Sequence, residues 1–158
     1  MAIDTHIKFD GVEGEATHKE HKGEIELQAW DWNVTNDSNI AGGGSGKGKA
    51  APGNFNFSHL YDKASPVLAK KCAQGVHFKE VTMTARKSGE GQKDFLKVTM
   101  KEVFIKAVAP AGSVGGDIME SVSMSYGSID FAYKAQEDKG GTGGEVKFGW
   151  NNKTTDIT

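Results

Sequence analysis

The stretch Gly43 to Ala50 sets Gly43, Gly48 and Lys49 at the spacing of a phosphate-binding loop. Such a loop cradles phosphate with backbone amides, and a serine or threonine after the lysine holds the metal ion. Ala50 stands where that hydroxyl is needed, and Pro52 and Gly53 follow where a helix should open onto the phosphate. The segment reads as a loop, not a nucleotide site. His18 and His21, three apart, would converge on a metal if they lay on a helix. Their surroundings are charged and lack a helical period, so they read as part of a solvated loop. Cys72 is the one thiol, which excludes an internal disulfide and a multi-cysteine zinc site. It lies on an ordinary helix and reads as a small core residue. Trp30, Trp32 and Trp150 could stack against sugar rings, but their alternate strand positions make them core aromatics, together with Phe131. Asn33-Val34-Thr35 and Asn56-Phe57-Ser58 match glycosylation sequons, which mean little without a secretory leader. With no paired carboxylates, nucleophile elbow or metal motif, no catalytic residue, metal ligand or cofactor is expected.

The elements that would position these residues are mostly strands. Ile3, Thr5, Ile7 and Phe9 alternate with Asp4, His6, Lys8 and Asp10, the period of a sheet with one dry face. Gly11 to Lys22 reads as a polar loop. A long strand over Gly23 to Thr35 changes its apolar phase near Ala29, as a β-bulge or a move between two sheets would require. Residues 36–53 form a glycine-rich loop, long enough to be functional or disordered. A strand follows over Asn54 to Leu60. The only helix has Ser65 as N-cap, Pro66 at N1 and Gly75 just past its end, with Leu68 and Cys72 facing inward. Phe78 to Arg86 places Val81, Met83 and Ala85 on one face. Asp94 to Ala109 carries apolar residues on both faces, and Ala109 to Asp117 is a loop. Ile118 to Tyr133 changes phase at Gly127, putting Ile129, Phe131 and Tyr133 on the dry side, and a last strand turns Val146, Phe148 and Trp150 inward. The expected fold is mainly β: one domain over residues 1–158, a small two-sheet barrel or sandwich with one short helix on its side.

Composition narrows the function classes. With 19 basic and 21 acidic residues there is no basic stripe for nucleic acid. No apolar run approaches the roughly 20 residues that span a bilayer, so no membrane insertion is expected. Asp4, Lys8 and Asp10 leave no secretory h-region, which points to folding in the cytoplasm and, if the protein is exported, to a route without a cleaved signal.

In order and spacing, these residues resemble the haemolysin-coregulated protein (Hcp) family, the tube subunit of type VI secretion. The resemblance covers nearly the whole chain. It rests on Met1-Ala2-Ile3-Asp4 with Ile7-Lys8, Gly14-Glu15, Ile25, Trp30-Asp31-Trp32 and the glycines at 42 to 48. It continues through Ser65-Pro66 with Leu68, the Glu120 to Tyr126 strand and Lys147-Phe148-Gly149-Trp150-Asn151. The resemblance implies a homohexameric ring with a wide pore, rings that stack into a tube, and effector proteins held inside. The further partners it implies are the sheath and spike. Residues of the Trp30–Trp32 strand line the pore in the family, which makes Asp31 the lumen candidate. Ile40, Gly43, Ser45, Lys47 and Lys49 of the glycine-rich loop are expected at the ring-to-ring surface. Two alternatives stand beside this reading: a monomeric, lectin-like β-sandwich binding module, and a small hydrolase, for which no nucleophile and base pair is present.

Overall fold

A computed structural model describes residues 2–37, 49–89, 91–136 and 142–158. Eleven strands and one helix follow in the order β1 (Ile3–Phe9), β2 (Ile25–Glu26), β3 (Ala29–Asp31), β4 (Val34–Asn36), β5 (Ala50–Pro52), β6 (Phe55–Leu60), α1 (Ser65–Gln74), β7 (Phe78–Lys87), β8 (Asp94–Ala111), β9 (Met119–Ser125), β10 (Ser128–Gln136) and β11 (Thr142–Asn151). Nine of the strands form two antiparallel sheets that share β8, and β4 and β5 pair in a separate two-stranded ladder. The first runs β2-β1-β7-β8-β10-β11, and the second β8-β9-β6-β3. No pairing among the described residues joins β3 back to the first sheet, so the two sheets do not close into a barrel.

Period-two patterning accounts for the core. Ile7 and Phe9 of β1, Val81 and Met83 of β7, Val98 and Met100 of β8, Phe55 and Phe57 of β6, and Val122 and Met124 of β9 all pack in one buried cluster. Each side chain of this size stabilises the fold by about 1.5–3 kcal/mol on burial. Leu68 brings α1 onto the same cluster, and Cys72 packs against its margin.

The strand expected over Gly23 to Thr35 is three short strands with three different partners. β2 pairs with β1, β3 with β6, and β4 with β5. The crossing lies between Leu27, whose N–H donates to Thr5 O, and Gln28, whose N–H donates to Ser58 O. The phase change at Ala29 therefore marks the chain leaving one sheet for the other. The loop expected over residues 36–53 begins and ends as the β4–β5 ladder, in which Asn36 faces Ala50.

The apparent double apolar face of β8 is one dry face that changes phase twice. Val98 and Met100 are buried, then Val103 and Ile105, while Phe104 is 40% exposed. Glu102 has φ 52°, a left-handed conformation that shifts the alternation. A second register shift between Ile105 and Ala107 returns Val108 to the core margin. Gly127 donates to Lys101 O and Glu102 O, and a Cβ there would lie 2.8 Å from Glu102 Oε2. The glycine at the β9-to-β10 switch thus accommodates the Glu102 bulge directly.

Three smaller expectations are corrected. Ser65 is not the N-cap: Ala64 holds that position, while Ser65 Oγ accepts from Asp62 N–H and Asp62 Oδ1 accepts from Ala64 N–H. Tyr133 and Val146 lie opposite each other on the β10–β11 hairpin and are 47% and 69% exposed, not inward. Both lie toward the tip of the hairpin, beyond Phe131 and Phe148, which still pack against the buried cluster. His6, on the wet side of β1, is buried because the β1–β2 loop folds over it.

Candidate assembly surfaces

The two sheets present outward faces of opposite character. On the second sheet, register aligns Asp31, Asn56, Ser123 and Ala107 in one row, and Ala29, Ser58, Ser121 and Ala109 in the next. These residues line a shallow depression of about 360 Å³. Their inward neighbours are the apolar residues of the core, so the alternation that builds the core also makes this face small and neutral. Asp31 is exposed, and its Oδ1 accepts a 2.9 Å hydrogen bond from Asn56 Nδ2. It is the one carboxylate in the two rows.

Trp30 and Trp32 flank Asp31 and are half-buried against the core. Trp30 stacks on Phe55 at 5.7 Å, and Trp32 meets Phe131 at 4.8 Å and Phe148 at 6.0 Å. Phe131 is half-buried against the same cluster, and Trp150 is 8% exposed with Nε1 donating to Asn152 Oδ1. Trp32 Nε1 donates to Tyr126 OH at 2.6 Å, and Tyr126 OH donates to Gly53 O at 2.7 Å. Burial raises the Tyr126 pKa from its usual value, with the Trp32 hydrogen bond opposing. This chain of donors fixes the root of the β4–β5 arm. A Cβ at Gly53 would meet Asn33 Oδ1, so a larger residue there would have to push the Asn33 side chain aside. Of the stacking-loop candidates, Ile40, Gly43, Ser45 and Lys47 lie outside the described residues; Lys49 is exposed, with its N–H donating to Asp37 Oδ1.

The outward face of the first sheet is charged. Lys8, Thr82, Thr99 and Asp130 form one row, and Lys97, Ala132 and Lys147 another. At one edge the β1–β2 loop is strapped across it. Arg86, 3% exposed, donates through Nη2 to Glu20 Oε2 at 2.6 Å, through Nε to Asp94 Oδ1 at 2.8 Å, and through Nη1 to Gln92 O. Burial opposes the Arg86 charge, but these carboxylates outweigh it and raise the pKa from its usual value. Burial likewise acts against ionised Asp94, and the hydrogen bonds from Arg86 and His21 overcome it, lowering its pKa. His21 stacks on His6 at 4.8 Å, with Nδ1 2.7 Å from Glu24 Oε2 and Nε2 3.2 Å from Asp94 Oδ1. Burial and the neighbouring His21, His18 and Arg86 push His6 down to about 4, with Asp4 opposing. His18 and His21 therefore belong to a clasp with His6. Among the described residues, no group of three His, Cys, Asp or Glu could hold a metal ion.

Sequence reasoning singled out Asp31 but missed the small face around it. The signal was present in the alternate serines 121, 123 and 125 and the alanines 107 and 109. The histidine clasp had no local signal, since His6 meets His18 and His21 only when the loop folds back.

The family described as "Type VI secretion system effector, Hcp" matches residues 6–133. The chain belongs to the Hcp family. Protein hcp1 of Pseudomonas aeruginosa is 37% identical over 155 residues, 96% of each chain. The crystal structure of Hcp1 from Salmonella typhimurium is 33% identical with a TM-score of 0.84, over 100% of both chains. A structure described as a type six secretion system protein is 27% identical with a TM-score of 0.93, over 99% of this chain and 100% of that one. The Hcp family is thus reached both from the residues and from the architecture, mainly β with two sheets and one short helix.

Proposed function

We propose that this chain is a non-catalytic building block of the type VI secretion tube, with six copies closing into a ring whose lumen is lined by the outward face of the second sheet. The observation that carries this reading is that face: small, neutral side chains with Asp31 as the one carboxylate in its two rows. A conduit needs a wall on which a passing protein finds few apolar or ionic contacts, and serine, alanine and asparagine supply one. Ring closure needs two different, complementary surfaces on each copy. Two edges of the second sheet are free for this among the described residues: the outer edge of β3, and β8 beyond Val103 on the side away from β9. Continuing the sheet from copy to copy would satisfy their backbone groups.

In this reading the whole chain acts as one unit, folds in the cytoplasm and leaves through the secretion machine. The β4–β5 arm lies at the ring-to-ring surface. Sheath, spike and effectors are the other partners, and Asp31 contacts effectors in the lumen. A monomeric sugar-binding module is disfavoured because Trp30 and Trp32 are packed on the core rather than displayed as a platform.

Sizing chromatography with negative-stain electron microscopy tests the proposal. The expected result is a particle of six times the 16.9 kDa chain, seen as a ring with a central hole. A compact monomer at high concentration would overturn it.

A further inference from the structure

Under the β1–β2 loop, His6 of β1 lies 4.8 Å from His21 and 5.6 Å from His18 between ring centroids, and His18 lies 5.6 Å from His21. Every element around His6 brings charge. β1 carries Asp4 and Lys8, β2 sets Glu26 opposite His6, and the loop adds Glu20 and Glu24. β7 sets Thr84 opposite His6 and Arg86 opposite Asp4. β8 sets Lys97 opposite Thr84 and Asp94 opposite Arg86. The hydrogen bonding suits an uncharged His6. The residue is 3% exposed, and its Nδ1 is buried with no partner among the described residues. Thr84 Oγ1, across from it in β7, is buried and unpartnered too. An imidazolium carries a proton on both nitrogens, so its Nδ1–H would lack an acceptor and would lie near the Arg86 cation. His18 Nδ1 accepts from Glu20 N–H, a bond that a proton there would break. His21 acts in the opposite sense, because its ring nitrogens face Glu24 and Asp94.

We propose that the β1–β2 loop is an acid-released latch: a proton on His6 swings the loop off β1 while both sheets stay folded. The latch does not depend on the tube reading. The loop is built to move as a unit. Its backbone bonds close on itself, from Gly14 N–H to Gly23 O, Gly23 N–H to Ala16 O and Ala16 N–H to Glu24 O. Side chains tie it to the rest: Glu20 to Arg86, His21 to Asp94, and Glu13 and Glu15 to Lys63. Breaking such ties opens a segment without breaking a sheet ladder. Opening bares Arg86 and the protonated His6 together, so acid turns a closed edge of the first sheet into a cationic surface.

The test is hydrogen exchange of the full chain, read by mass spectrometry at pH 7, 6 and 5 and corrected for the chemical rate at each pH. His6 titrates at about 4 under the closed loop and near its ordinary 6.5 once uncovered. Opening of residues 12–24 should therefore rise about twentyfold from pH 7 to pH 5. Segments of β6 and β9 should stay better protected than the loop throughout. Loop protection that does not change with pH overturns the proposal. So does protection equal to that of β6, which would mean that the loop opens only with the whole fold. His6→Gln should remove the pH dependence, and an unchanged dependence would take the trigger away from His6 and overturn the latch. Thr84→Asp supplies a second variant with the opposite sign. It places a carboxylate across from His6, so the proton gains a partner and acid should tighten the loop. A Thr84→Asp loop that loosens in acid as the unmodified one does counts against the proposal.

Discussion

The outward faces of the two sheets are built on the same β8 strand yet differ in how they are held. The second sheet's face is small and neutral, and its side chains contribute little to folding beyond exposing no apolar bulk. The first sheet's face is charged, and at one edge a loop is tied down by Arg86, Glu20, Asp94 and three histidines. One surface is free to be specified by what it meets, while part of the other is committed to holding the fold. The difference shows where substitutions should act on stability and where they should act on assembly.

The largest expected effect breaks the clasp. Arg86→Met leaves Asp94 and Glu20 without their buried cation and should cost about 3 kcal/mol, measured by urea denaturation. A loss under about 1 kcal/mol would mean the strap is not part of the stable fold. The next effect is pH dependence. His6 has a folded pKa of about 4 against an ordinary 6.5, so between these values the unfolded chain binds the extra proton. Stability from this group is complete above pH 6.5, falls as pH drops from 6.5 towards 4, and levels off below, a loss of about 3 kcal/mol. The lowered pKa of Asp94 adds a further loss in acid, with the same sign. Denaturation curves across this range should slope as described, and His6→Gln should flatten the slope above pH 4. A wild-type curve already flat there would remove the clasp's titration from the account.

Smaller effects are expected on the other face. Ser123→Arg should change stability by no more than about 0.5 kcal/mol while reducing the co-purification of a lumen cargo, because a long cation would project from a neutral wall. Asp31→Gln should cost only a few tenths of a kcal/mol, the scale of an exposed polar contact, and should alter effector retention with rings intact. Unchanged retention would move cargo contact away from Asp31.

Much of this architecture is legible in the sequence because period-two patterning is local. The alternation in β1, β6, β7 and β9 announces strands and their buried side, and the phase changes at Ala29 and Gly127 announce the switches. What stayed hidden depends on distant contacts. Phe104 reads as a second dry face until Glu102 is seen in a left-handed conformation, and Tyr133 and Val146 read as inward because nothing local says that the buried cluster stops at Phe131 and Phe148. His6 reads as wetted because the residues that cover it lie twelve or more positions along the chain. Asp31 was reachable from the tryptophans on either side, but the flatness of the face around it required pairing β3, β6, β9 and β8 in register.

The 18-residue span of β8 has a thermodynamic consequence. Each sheet takes one half of that ribbon as a member, and the Glu102 bulge joins the halves without a break in the chain. Melting either sheet strips partners from a backbone that the other still uses, so the two should not open one at a time. Heating or urea should therefore take the chain apart in one cooperative step. A subunit built this way stays intact under load or fails completely, with no half-opened form to expose sticky edges along the way.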